Sequence, residues 1–185
     1  LLRWQGLLAA APAGPLSSHL LTISGVVLCA LMAGLAVVTR SGLSLLILAC
    51  GLLWLLLALR RPAGAISGIN GWILAILAIA LLATGFSPVP SAALKGLLKL
   101  ASYLSVYALM HELLRAAPRW WDRIVASLLA GSLLTSVIGL RQLYQDTDAL
   151  ARWVDPNSVA KGTVRIYSTL ENPNLLAGYL LPVLP

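Results

Sequence analysis

The chain has 185 residues, of which 59% are hydrophobic and only 10% charged, with a mean hydropathy of +0.90. A soluble domain carries about 25% charged residues, so the composition excludes a water-soluble globular domain and indicates an all-α, polytopic transmembrane helical bundle. The formal charge of +7 does not indicate nucleic acid, because Lys and Arg sit at the ends of apolar runs, where membrane topology puts them.

The chain begins at Leu1 rather than Met and stops at Pro185 inside an apolar run, so both ends read as cut. Leu7 to Gly14 reads as an interfacial lead-in, since only Arg3 precedes it and spans follow at once. Residues 20–39, between His19 and Arg40, are uncharged and long enough to cross ~30 Å of hydrocarbon. Residues 41–59, between Arg40 and Arg60, form the second span, and the short turn between the two makes a hairpin. The third span covers 66–86, with Pro62 before it and Pro88 and Pro90 closing it. Cys29 and Cys50 lie inside the first two runs with no CxxC or Cys/His spacing, and read as small packing residues.

The fourth span, 91–114, is different. Lys95 and Lys99 are one turn apart at its start, Ser102 and Tyr103 continue that side, and His111 and Glu112 close the far end. The lysines either snorkel to the interface or line a polar cleft near one membrane surface. Glu112 is expected to pair with Arg115. The fifth span, 124–140, carries Gly131, Thr135 and Gly139 every four residues, with Ser132 and Ser136 alongside. Small residues at that spacing let helices approach closely, which makes this a packing face and not a chemical site.

Residues 141–171 then leave the membrane. Leu143, Tyr144, Leu150, Trp153 and Val154 suit short amphipathic turns on the surface, and Asp155-Pro156-Asn157-Ser158 is a turn. Asp146 and Asp148 have no partner motif and read as a solvated face. Asn172 before Pro173 is a helix start, with Asn172 at the N-cap and Pro173 at the first helical position. A sixth span begins there and runs over 173–185. Its first turn offers backbone N–H groups and the positive end of the helix dipole. With Arg165 a few residues upstream and Asn174 inside the turn, an anion is the natural occupant. The alternative is a plain connector with Arg165 solvated. The chain has no GxGxxG, Walker, HExxH or GxSxG motif, so neither a cofactor nor a metal is expected.

Basic residues mark cytoplasmic loops. With the N-terminus inside, the cytoplasmic segments hold Arg3, Arg60, Arg61, Arg115, Arg119 and Arg123, and the outer turns hold Arg40, Lys95 and Lys99. The 141–171 loop is then extracytoplasmic, its Arg141, Arg152, Lys161 and Arg165 matched by Asp146, Asp148, Asp155 and Glu171. Trp54 and Trp72 fall near the inner interface, with Trp120 and Trp121 in an inner loop, as an aromatic belt.

Three stretches together, Ser136-Val-Ile-Gly-Leu-Arg-Gln-Leu-Tyr, Ala151-Arg-Trp-Val-Asp-Pro-Asn-Ser and Asn172-Pro-Asn-Leu-Leu-Ala-Gly-Tyr, resemble a known family. It is the cyanobacterial bicarbonate transporter (inorganic-carbon accumulation) family, a branch of the O-antigen ligase superfamily. The resemblance is specific in the last third of the chain and generic before it. It implies a bundle of about ten to twelve spans, of which this chain is the N-terminal part: five spans and the start of a sixth. Members of the superfamily join a lipid-linked glycan to an acceptor at the outer membrane face. Their catalytic His is expected in a later extracytoplasmic loop, and neither His19 nor His111 matches it. On that reading the chain alone is inactive. The basic residue ahead of Asn-Pro-Asn does match, so Arg165 carries over as an anion-binding residue. Leu170 stands where the family often has an aromatic, and Glu171 adds a negative charge beside the motif.

Three functions compete: a glycan ligase using a polyprenyl-diphosphate donor, a bicarbonate transporter, and a non-catalytic assembly subunit. Spans one, two, three and five carry no charge between their ends and offer no ion path through the hydrocarbon, where a charge costs at least ~2.5 kcal/mol. Lys95, Lys99, Arg141 and Arg165 all fall on the proposed outer side, with Asn172 and Asn174 beside them. That distribution favours an outward-facing site for a diphosphate lipid in the inner (plasma) membrane, with membrane lipid and the glycan donor, or else bicarbonate, as partners.

Overall fold

The computed structural model describes residues 15–60, 68–142, 144 and 166–183. The elements are α1 (Pro15–Gly34), α2 (Arg40–Arg60), α3 (Gly68–Gly85), α4 (Pro90–Ala116), α5 (Trp120–Gln142), a 3-10 turn (Ser168–Leu170), α6 (Pro173–Leu180) and a second 3-10 turn (Leu181–Val183). Among the described residues there is no strand, and the fold is an all-α bundle. Among the described residues, three stretches are long and apolar enough to cross a membrane, Arg40–Leu59, Pro90–Ala116 and Trp120–Gln142, which makes this a membrane protein. That is fewer than the five spans expected. Apolar helix also covers Ser18–Gly34 and Gly71–Gly85 among the described residues.

Local chemistry explains the boundaries. The first span is expected over 20–39, but α1 starts earlier, at Pro15, and ends at Gly34. The N–H groups of Val37 and Val38 both donate to Gly34 O, at 3.1 and 2.9 Å, closing a turn. Thr39 then caps α2: its Oγ1 accepts from Gly42 N at 3.3 Å, and its carbonyl accepts from Leu43 N at 2.9 Å. Arg40 is therefore the first helical residue and not a loop residue.

Between α3 and α4, Ser87 Oγ accepts from Val89 N at 3.2 Å, and Pro90 opens α4 at a position where a missing N–H costs little. The helix α4 ends when Ala117 N donates to Leu113 O at 2.8 Å. Beyond it the structure corrects the expected loop. Trp120 and Trp121 are the first residues of α5, with Asp122 in the first turn at the positive end of the dipole. The turn at Ala117 and Pro118 accepts from both Trp N–H groups, at 3.1 and 3.0 Å, and starts the helix four residues early.

The chain divides into two compact units, one from the described residues of Leu1–Leu28 and Ser44–Trp121, the other from those of Cys29–Leu43 and Asp122–Pro185. In the first, Leu21, Ser24 and Leu28 line one buried stripe of α1, Cys50, Leu53 and Leu57 one of α2, and Leu109 and Leu113 one of α4. Trp120 is buried with its ring lying on Gly25, where any side chain would collide with it. It is a core residue and not part of an aromatic belt. Cys50 is buried, Cys29 half-buried, and both are free thiols. Helices α3 and α4 pack on each other. Most other large apolar side chains, such as Trp72, Phe86 and Leu59, are exposed, as lipid-facing residues are.

In the second unit the small residues of α5 do what their spacing promises. A Cβ on Gly131 would stand 2.5 Å from Ala33 O, so the backbones of α5 and α1 are in direct contact there. Thr135 is fully buried and Ser132 nearly so. The same face continues to Gly139, whose neighbours are Ile166 and Ser168.

Candidate functional site

The segment that leads into α6 is held against the end of α5 by side chains. Gln142, in the last turn of α5, is buried and reaches 26 residues along the sequence. Its Oε1 accepts from Ser168 N at 2.9 Å and from Tyr167 N at 3.2 Å, while its Nε2 donates to Ser168 O at 3.3 Å. Ser168 Oγ donates to Thr135 O at 2.6 Å, two turns earlier on α5. Ser168 and Glu171 have φ of 51° and 55°, in the left-handed region that L residues other than Gly seldom adopt. The chain therefore makes a tight 3-10 turn between two left-handed residues before α6 begins.

The start of α6 is as the sequence predicts. Asn172 is the extended N-cap and Pro173 the first helical residue. Asn172 Oδ1 accepts from Asn174 N at 2.9 Å and, weakly, from Leu175 N at 3.4 Å. Leu176 N already donates to Asn172 O at 3.0 Å. This changes the chemistry expected of the first turn: its backbone donors are taken by Asn172. An anion here would meet the dipole and the exposed Asn174 side chain rather than an open ring of N–H groups.

The other expected site residues fall in different places. Arg165 lies outside the described residues, as do Asp146, Asp148, Leu143, Leu150, Trp153, Val154 and the 155–158 turn. Arg141 is exposed in the last turn of α5, next to Gln142. Lys95 and Lys99 are exposed at the start of α4 and belong to the first unit. Lys99 Nζ sits 6.0 Å from the Tyr103 ring centroid, a cation–π contact at the limit of its range. Toward the other end of α4, Tyr107 and His111 stack with centroids 6.2 Å apart and planes 25° apart. The ion pair expected between Glu112 and Arg115 is not formed; neighbours three apart on a helix need both side chains turned toward each other.

Two polar atoms near the capped turn are buried and have no hydrogen-bond partner among the described residues, Thr169 Oγ1 and Tyr179 OH. Sequence reasoning missed Gln142 and Ser168. The only signal was an uncharged amide directly after Arg141 at the end of an apolar run. Comparison with family models, with curated proteins and with solved structures matched none of them to this chain.

Proposed function

We propose that the chain is part of a multi-pass inner-membrane protein, with a cytoplasmic N-terminus, that transfers glycan from a polyprenyl-diphosphate donor at the outer face. Arg165, Arg141 and Asn174 hold the diphosphate beside the start of α6, and Asn172 fixes the turn that presents them. A guanidinium fork matches two phosphate oxygens at once. In the proposed topology Lys95 and Lys99 also face out and offer a separate contact to anionic lipid. As the acceptor hydroxyl oxygen bonds to the anomeric carbon and its proton passes to solvent, the C–O bond to the diphosphate breaks, and such cations offset the charge left on the departing polyprenyl diphosphate.

One observation carries this reading over bicarbonate transport. Helices α1 to α5 each run as one uninterrupted helix, and several of their hydroxyls are committed to their own backbones. Ser24 donates to Leu20 O, Thr84 to Ala80 O, Ser102 to Leu98 O, Ser105 to Ser102 O, Ser127 to Arg123 O, Ser132 to Leu129 O and Thr135 to Gly131 O, all at 2.7–2.8 Å. An ion pathway needs the reverse: unwound helices and polar groups turned toward a mid-membrane site.

The test uses the full-length protein in nanodiscs with a polyprenyl-diphosphate oligosaccharide and an acceptor glycan. Transfer should occur, fall about tenfold or more in Arg165→Ala, and be only partly restored by Arg165→Lys, which keeps the charge but loses the fork. Gradient-driven bicarbonate uptake into liposomes, unaffected by the glycan donor, would overturn the reading.

A further inference from the structure

We propose that the exposed face of α4 around Lys95 and Lys99 is a docking site for an anionic phospholipid, whose phosphodiester sits between the two ammonium groups. The proposal needs only that α4 crosses a membrane; it does not depend on glycan transfer. Depth comes first. The 27 residues of α4 make a rod about 40 Å long, against ~30 Å of hydrocarbon. The excess is about 10 Å. Lys99 is nine residues past Pro90, roughly 13.5 Å along the axis. Even with all the excess at the N-terminal end, the Lys99 backbone lies below the hydrocarbon surface. Helical side chains lean toward the helix N-terminus, so both lysines extend their stems back to that surface and hold their charges at headgroup depth.

The charges there are not met from within the unit. No Asp or Glu precedes Glu112 in the chain, and Glu112 is the one carboxylate of the first unit. It stands thirteen residues beyond Lys99 on the same helix, about 20 Å away along the axis and toward the opposite membrane face. Lys95 and Lys99 are one turn apart and repel each other. An anion between them relieves that repulsion, and at this depth a lipid phosphate is the anion at hand. The surrounding face suits a lipid. Lys95, Gly96, Lys99 and Tyr103 are all exposed. Nothing lies within 4 Å of where a Cβ on Gly96 would stand, which leaves backbone-level room beside the lysines for the glycerol. Leu94 and Leu98 are 50% and 59% exposed and offer apolar surface to the acyl chains. Tyr103 places its ring 6.0 Å from Lys99 Nζ, so that ammonium is steadied by an aromatic face and still carries its full charge.

The test uses the purified protein in phosphatidylcholine nanodiscs with a rising share of phosphatidylglycerol that carries a diazirine near its headgroup. Photo-crosslinks are mapped by mass spectrometry. In wild type they should concentrate and saturate within residues 92–103, and a matching phosphatidylcholine probe should not. The Lys95→Gln, Lys99→Gln protein should need about 30-fold more phosphatidylglycerol for half-saturation, and Lys99→Gln alone about fivefold more. Lys95→Arg with Lys99→Arg keeps both charges and should bind as wild type does. The single variant serves where the double variant fails to fold. Equal crosslinking by the two probes in wild type would overturn the site, and so would unchanged half-saturation in a folded Gln variant. Loss of the crosslinks on adding polyprenyl diphosphate equimolar with the probe would also overturn it, by making this face a seat for the diphosphate lipid instead.

Discussion

Replacing Gly131 with Ala puts one methyl group against the backbone of α1. Its Cβ would lie 2.5 Å from Ala33 O and 3.0 Å from Ala33 C and Cα. Carbon contacts are favourable from about 3.5 Å, so the two helices would have to separate by roughly 1 Å at this point. Backbone cannot swing aside as a side chain tip can. Overpacking of this kind costs about 1–3 kcal/mol, and the better helix propensity of Ala returns up to about 1 kcal/mol. With the full return, the net loss is up to about 2 kcal/mol, a fall in midpoint of up to about 8 °C for a chain of this size. Gly96 is the control: it lies inside α4 with no atom within 4 Å of where a Cβ would stand, so Gly96→Ala keeps the propensity gain and should melt at or slightly above wild type. Thermal unfolding of the purified protein in detergent, followed by tryptophan fluorescence, reads both. A Gly131→Ala variant as stable as Gly96→Ala would show that α1 and α5 are not in backbone contact, and the account of this unit would fail.

Two further outcomes are expected. In a Cys29→Ala, Cys50→Ala background, a cysteine at Ser158 should react with an impermeant maleimide in intact cells and one at Ala117 should not; labelling at Ala117 alone would reverse the topology. Asn172→Asp keeps an oxygen to cap α6 and adds a negative charge that suits a helix start, so stability should hold while pyrophosphate affinity drops; unchanged affinity would place the anion elsewhere.

The helical class and the small-residue face of α5 are legible in the sequence because composition and four-residue spacing act directly on how helices sit in lipid. The Asn172 cap is legible for the same reason: Asn before Pro satisfies local geometry without help from distant residues. Span boundaries are less so. Charges mark them only roughly, because the turns at Gly34 and Pro118 are set by backbone hydrogen bonds that shift helix ends by four or five residues. The core role of Trp120 is hidden because its burial depends on Gly25, nearly a hundred positions away. Gln142 is invisible for an equivalent reason: an amide at a helix end has many satisfactory partners, and only the folded chain selects Ser168.

The face of α5 also explains why a single stripe can serve two ends. At Gly131 the absence of a side chain lets another helix backbone come close. Two turns later the same row receives a non-helical segment, and there bare space is not enough. A chain with left-handed residues at Ser168 and Glu171 has no ladder to pair with, so every amide it buries needs a partner from elsewhere. Small residues supply the room and Thr135 and Gln142 supply the hydrogen bonds. Had the row continued as Gly and Ala alone, Ser168 would bury unsatisfied groups at a cost of about 1–3 kcal/mol each, and the turn into α6 would have no fixed position. The change from small to polar along one helix face is therefore where the second unit passes from packing a helix to holding the turn into α6.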